Sequence, residues 1–162
     1  MKVLITGMSG TGKSTVIKAL AKAGQCAVDL DADGWSGWAP CEGDPTGAKP
    51  GHDWMWDEER LFELLAEAND EALFVAGCSP NMGRFKHLFD RVILLSAPAE
   101  TLLERVAVRT NNPYGKTMAE AERIVANLEE IEPILRRIAT HEIDATQSLK
   151  VILDEVMLAA KG

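Results

Sequence analysis

Gly7-Met8-Ser9-Gly10-Thr11-Gly12-Lys13-Ser14 carries the strongest chemical signal in the chain. Glycine reaches backbone conformations that other residues avoid, so a loop of this kind can turn its main-chain N–H groups inward around a phosphate. A helix starting at Lys13 adds the positive potential of its N-terminus at the same point. Lys13 can then reach the β- and γ-phosphates, and the Ser14 hydroxyl can ligate Mg²⁺. The spacing G-x-x-x-x-G-K-S lies between an apolar run, Val3–Thr6, and a helical pattern, Lys13–Ala23, which is the context this loop requires. Gly7, Ser9, Gly10, Thr11, Gly12, Lys13, Ser14 and Thr15 are therefore the expected ligands of a nucleoside triphosphate, with Mg²⁺ at Ser14.

A second set of residues could face that loop. Asp29 and Asp31 end the second apolar run, Cys26–Leu30. Strand C-termini border the ligand crevice of an open α/β sheet, so both carboxylates are expected beside the phosphate loop. The same residues, with Asp33, also suit a turn cap after the strand. The third run, Ala72–Ala76, carries no acid, Asp90 precedes the fourth, Arg91–Leu95, and no guanine-reading Asn-Lys-x-Asp appears. Arg105 and Arg109 stand four apart on one helical face, where Arg105 can also pair with Glu100 or Glu104.

All four tryptophans, Trp35, Trp38, Trp54 and Trp56, fall within residues 35–56. Tryptophan offers a flat apolar face and one N–H donor, which suits a planar base, a sugar face or a cation. A small satellite core under a long loop is the other use for at least two of them. Trp35 and Trp54 are the expected substrate contacts, with Gly77, where glycine lets a substrate approach the backbone. Arg60 and Arg84 are the cations that could meet an acceptor. Residues 29–53 hold six acids against one lysine, a field that favours a neutral or cationic hydroxyl compound over a phosphate-bearing one.

The elements that must position these residues follow from periodicity. Short apolar runs alternate with helical patterns, the signature of an α/β fold with a parallel sheet. The order expected is strand, helix, strand, a Gly-, Pro- and Trp-rich excursion without period, helix Asp57–Ala68, two strands with little or no helix between them, and helix 98–109. A turn-rich loop, Thr110–Lys116, comes next. Thr117-Met118-Ala119-Glu120 has the form of a capping box that opens a helix to about Ile131, and Pro133 is expected to start or kink the next piece. A fifth strand, His141–Asp144, and a helix, Ser148–Ala160, close the chain.

The 162 residues suggest one domain. Hydrophobic residues make up 46% and charged residues 26%, an ordinary globular balance that argues against a disordered or fibrous chain. The net charge of −8 disfavours nucleic acid as the main partner. No apolar run approaches the ~18 residues of a membrane span, and the N-terminal run meets glycine too early for a signal-peptide core. Cys26, Cys41 and Cys78 form no metal-type spacing, so the expectation is a reduced cytoplasmic protein without a zinc site.

The phosphate loop, the Asp-x-Asp after strand two and the short arginine-bearing lid resemble the P-loop small-molecule kinases related to shikimate kinase, gluconate kinase and the nucleoside monophosphate kinases. The resemblance runs over nearly the whole chain. It implies a three-layer P-loop NTPase fold with a five-stranded parallel sheet, a substrate-binding excursion (32–71) and a short lid (110–117). It further implies an ATP- and Mg²⁺-dependent transfer to a small hydroxyl-bearing metabolite, by a monomer or homodimer. Asp31 would be the base or orienting acceptor for the attacking hydroxyl and a group near the metal. Asp29 would lie nearer metal or substrate, or the two would exchange roles. Such chemistry needs a hydroxyl proton accepted and its oxygen aligned with the γ-phosphate. Arg109, then Arg105, would meet the transferring phosphoryl group, with Lys116 and Arg123 behind them. Asp144 and Thr146 would lie on the loop against the base. A nucleoside monophosphate kinase and an ATP-binding regulatory module with little turnover are the alternatives.

Overall fold

Val3, Leu4 and Ile5 have no exposed surface, because the strand that carries them lies at the centre of a parallel sheet covered on both faces. The computed structural model describes every residue except 33, 44, 45, 48, 69, 70, 111–113 and 162. Strand β1 (Lys2–Thr6) leads to helix α1 (Lys13–Lys22) and strand β2 (Cys26–Asp29). A hairpin of β3 (Ser36–Pro40) and β4 (His52–Trp56) precedes helix α2 (Glu58–Glu67) and strand β5 (Leu73–Ala76). After two 3-10 turns come β6 (Arg91–Ser96), α3 (Ala99–Val108), α4 (Met118–Ile138), β7 (His141–Asp144) and α5 (Leu149–Lys161).

The main sheet has the order β2-β5-β1-β6-β7, and every pair in it is parallel. Alternate residues of each strand feed opposite faces. Val3, Ile5, Phe74, Ile93 and Leu95 pack with Val16, Ile17 and Leu20 of α1 and Ile152 and Val156 of α5. Leu4, Val75, Val92 and Leu94 pack with Leu61 and Leu65 of α2, Leu102 of α3 and Leu135 of α4. The result is the expected three-layer α/β fold. Its strand C-termini gather Thr6, Asp29, Ala76, Ser96 and Asp144 along one edge, from which the loops of the site emerge.

Two local expectations need correction. The excursion is not without regular structure, for Ser36–Pro40 and His52–Trp56 form a separate two-stranded sheet in which Trp38 lies opposite Trp54 and Ser36 opposite Trp56. The opposed rings meet edge to face with centroids 5.7 Å apart, an aromatic cross-strand pair of the kind that stabilises a hairpin. Pro133 does not end a helix, since α4 runs unbroken for 21 residues. A proline in mid-helix forfeits one backbone bond, here to the carbonyl of Glu129 on an exposed turn. Three features hold the segment: the Thr117/Glu120 capping box, burial of Ile124 and Leu135, and the bonds from Arg136 to Glu132 and Glu142. Among the described residues no helix is long and apolar enough to cross a membrane.

Candidate active site

The loop between β1 and α1 needs its glycines for space as well as for conformation. Gly7 has a positive φ, 150°, and a Cβ there would strike the Leu95 carbonyl oxygen and come within 2.9 Å of Thr11 Oγ1. A Cβ on Gly10 would lie 2.8 Å from the Leu102 carbonyl oxygen, so α3 packs directly on the loop. The Thr11 hydroxyl donates to Met8 O at 2.9 Å and closes the turn. Gly12 caps α1, which places Lys13, Ser14 and Thr15 in its first turn. Lys13 Nζ folds back over the loop, donating to Gly7 O at 2.8 Å and to Met8 O at 3.4 Å.

Across the crevice β2 ends at Asp29, whose Oδ1 accepts the Asp31 N–H at 3.1 Å. Asp29 thus caps the turn that carries Asp31 inward, and Asp33 falls outside the described residues. Asp31 Oδ1 accepts from Trp56 Nε1 at 3.2 Å and from the Cys78 N–H at 3.1 Å. Its Oδ2 is 3.2 Å from the same Cys78 nitrogen and 3.9 Å from Lys13 Nζ. Burial pushes the Asp31 carboxyl above the usual carboxylate range, while the Lys13 ammonium and the Trp56 and Cys78 N–H groups pull it back. Burial also raises the neighbouring Cys78 thiol.

Gly77 is the hinge of this arrangement. A Cβ there would stand 2.7 Å from Asp31 Oδ1 and 2.8 Å from the Trp56 ring. Gly77→Ala is therefore expected to cost about 1–3 kcal/mol through overpacking and to displace the carboxylate. Denaturant unfolding measures the first effect, and a fall in product formation with ATP affinity retained reports the second.

The remaining predicted residues divide sharply. Trp54 Nε1 donates to the Asp31 carbonyl at 3.3 Å and so belongs to the same cluster. Trp35 packs against the core beneath the Arg60 guanidinium, 4.1 Å from the ring centroid, and Arg60 also donates to Gly34 O. Arg84 is 70% exposed and ion-paired with Glu58 at 2.8 Å, and none of its described bonds reaches Asp31 or the phosphate loop.

On the lid side Arg109 ends α3 and donates to Tyr114 O at 2.8 Å, with Ser9 Oγ at 3.5 Å. Its Nε is buried without a partner, and burial lowers the guanidinium's pKa. Arg105 donates to Ala145 O at 2.8 Å, tying α3 to the loop after β7. In that loop Asp144 Oδ1 accepts from the Thr146 N–H at 2.8 Å and from its hydroxyl at 2.7 Å, a local turn cap. Lys116 donates to the carbonyls of Ala107 and Arg109 at the end of α3, and Arg123 bonds the Tyr114 side chain. Lid residues 111–113 lie outside the described residues. Sequence reasoning missed Trp56 and the Cys78 N–H as partners of Asp31. The only hint lay in Gly77-Cys78 following a buried strand and in the clustering of tryptophans.

The AAA domain model AAA_18 matches residues 3–131, from β1 into α4 and across the phosphate loop. The chain belongs to that family. No curated protein sequence matches it significantly. This AAA_18 chain has the P-loop kinase fold. It superposes on a shikimate kinase from Acinetobacter baumannii in complex with shikimate with a TM-score of 0.65 and 22% identity, covering 96% of this chain and 90% of that one. A gluconokinase from Sinorhizobium meliloti 1021 gives 0.62 and 23%, covering 99% and 91%. A deoxyadenosine kinase from M. mycoides gives 0.53 and 16%, covering 98% and 97%.

Proposed function

We propose that the protein transfers the γ-phosphoryl group of ATP to a hydroxyl of a small-molecule acceptor. One observation carries this reading: Asp31 Oδ2 stands 3.9 Å from Lys13 Nζ, so a carboxylate and the phosphate-loop lysine share one crevice. With an acceptor between them, Asp31 takes the hydroxyl proton as the acceptor oxygen forms its bond to the γ-phosphorus. The bond from that phosphorus to the bridging oxygen breaks, and ADP leaves with the electron pair. Lys13 exchanges the Gly7 and Met8 carbonyls for phosphate oxygens, and the loop N–H groups and the α1 N-terminus hold the rest of the tail. Arg109, already beside Ser9, meets the charge that spreads over the phosphoryl oxygens.

The Ser14 hydroxyl is a hard oxygen donor of the kind Mg²⁺ takes and would hold it, with the Asp31 carboxylate kept for the acceptor hydroxyl and supplying negative charge nearby. When bound, that ion supplies neutralisation of the phosphate charge. Arg105, Asp144 and Thr146 border the nucleotide side, while Trp54 borders the acceptor; Gly77 instead makes room for the Asp31 carboxylate and the Trp56 ring, and Trp35 is covered by Arg60. Both acceptor-side arginines are engaged, Arg60 by Trp35 and Gly34 O and Arg84 by Glu58, which favours an acceptor without a phosphate.

A coupled assay of ADP formation with ATP and Mg²⁺ tests the reading. Stimulation by a nucleoside, a sugar, a shikimate-like acid or an amino alcohol is the expected result. Stimulation by nucleoside monophosphates alone would replace it with a monophosphate kinase. Tight ATP binding with no stimulating acceptor would leave a nucleotide-binding module.

A further inference from the structure

The proposed base does not aim itself. The Asp31 turn is held by Asp29, but the carboxylate is held from two other elements, β4 and the segment after β5. Trp56 reaches it from β4 with its indole N–H, and Cys78 reaches it with its backbone N–H. Trp56 is in turn locked. It is 2% exposed, its main-chain N–H donates to Ser79 Oγ at 3.3 Å and to Asn81 Oδ1 at 3.2 Å, and its main-chain carbonyl accepts from Asn81 Nδ2 at 3.0 Å. Asn81 Nδ2 also donates to Glu58. The ring packs on Phe85, with centroids 6.3 Å apart. Gly77 leaves the space that the ring and the carboxylate occupy together.

Trp54 lies two residues before Trp56 on the same strand, and both indole N–H groups end on Asp31, one on the main-chain carbonyl and one on the carboxylate. Strand periodicity brings such residues to one face. The hairpin that should line the acceptor site therefore grips the base directly.

We infer that Trp56 is a positioning residue whose indole N–H anchors Oδ1 of Asp31, with the Cys78 N–H shared between both oxygens, so that Oδ2, on the Lys13 side, is the oxygen presented to the acceptor hydroxyl. The inference rests on the reading of Asp31 as the base. A rotating carboxylate would offer either oxygen in many orientations. A pinned one offers one lone pair from one direction, on the side of Lys13. Small misplacements of a reacting group cost large factors in rate, so loss of the pin acts on kcat more than on nucleotide binding.

Two measurements test this on the full chain. The four tryptophans give four indole N–H signals in a ¹⁵N-correlated NMR spectrum, and the signal missing in Trp56→Phe identifies Trp56. In Asp31→Ala, which removes the acceptor, that signal is expected to move more than those of Trp35 and Trp38. An unmoved Trp56 signal would overturn the inference, whatever the activity. The second measurement is a double-mutant cycle with the acceptor identified by the ADP assay. Trp56→Phe is expected to lower kcat about 10–100-fold with the KM for ATP within about threefold. In the Asp31→Asn background the same change should matter less than about twofold. An equal loss in both backgrounds would mean that Trp56 acts through the fold, and the inference would fall while the kinase reading stood. Wild-type turnover by Asp31→Asn would instead remove the base, and the inference with it. Should Trp56→Phe fail to fold, a Trp56→Tyr variant identifies the signal and enters the cycle in its place.

Discussion

Asp31→Asn is expected to lower kcat by about 10²–10⁴-fold, the range for removing a positioned general base. It is expected to leave ATP affinity nearly unchanged and the melting temperature unchanged or higher. Desolvation raises the Asp31 carboxyl above the ordinary carboxylate range, so the folded protein holds the ionised form less well than the unfolded chain does. The sign follows: the stabilising effect of this group is fully present below the unfolded chain's pKa and is lost as pH rises through the higher folded one. At neutral pH the ionised carboxylate therefore weakens the fold, and an asparagine of the same shape carries no such penalty. Its Oδ1 can still accept the Trp56 and Cys78 N–H groups. Kinetics with the identified acceptor and a thermal melt at pH 7 check the two halves. A variant that loses activity and melts well below the wild type would mean that Asp31 serves the fold rather than the transfer.

Lys13→Ala is expected to act on both substrates at once. In the proposed reading Lys13 is the cation that reaches the triphosphate, and it is the charge beside Asp31 Oδ2 at 3.9 Å. Removing a charge-assisted donor of about 1.5–3 kcal/mol weakens ATP binding about 10–100-fold. Loss of its stabilisation of the transferring group lowers kcat by about a further 10²–10³-fold. Lys13→Arg should not rescue it, because the planar fork of arginine cannot take the place of a compact ammonium between the Gly7 and Met8 carbonyls. Titration calorimetry with ATP reads the first effect and the coupled assay the second. ATP affinity within about twofold of wild type in Lys13→Ala would sink the assignment of the loop as the triphosphate grip.

Local chemistry was enough to find the phosphate loop, since its signature is contiguous and its flanking strand and helix are strongly periodic. It was also enough for β1, β5 and β6, whose unbroken apolar runs are what a sheet buried on both faces requires. The hairpin was hidden for an equally physical reason. Its strands carry glycine, proline and tryptophan, whose burial runs from exposed Trp38 to buried Trp56 and shows no clean alternation. What holds them is the cross-strand contact of Trp38 with Trp54, 16 positions apart in the chain. The unbroken α4 was hidden because a proline penalty is local, whereas the packing and Arg136 bonds that override it are not.

The sequence by itself determined which groups are present and which of them are neighbours through the backbone: a glycine loop, a lysine and hydroxyl at a helix start, and two carboxylates after a strand. Tertiary structure decided their division of labour. Asp29 was turned into a cap, Asp31 into the carboxylate facing Lys13, and Arg84 into an exposed partner of Glu58. The reason is reach. A motif fixes contacts among residues a few positions apart, but the bonds that aim Asp31 come from residues 25 and 47 positions away, and only the packing of β4 and β5 brings them to it.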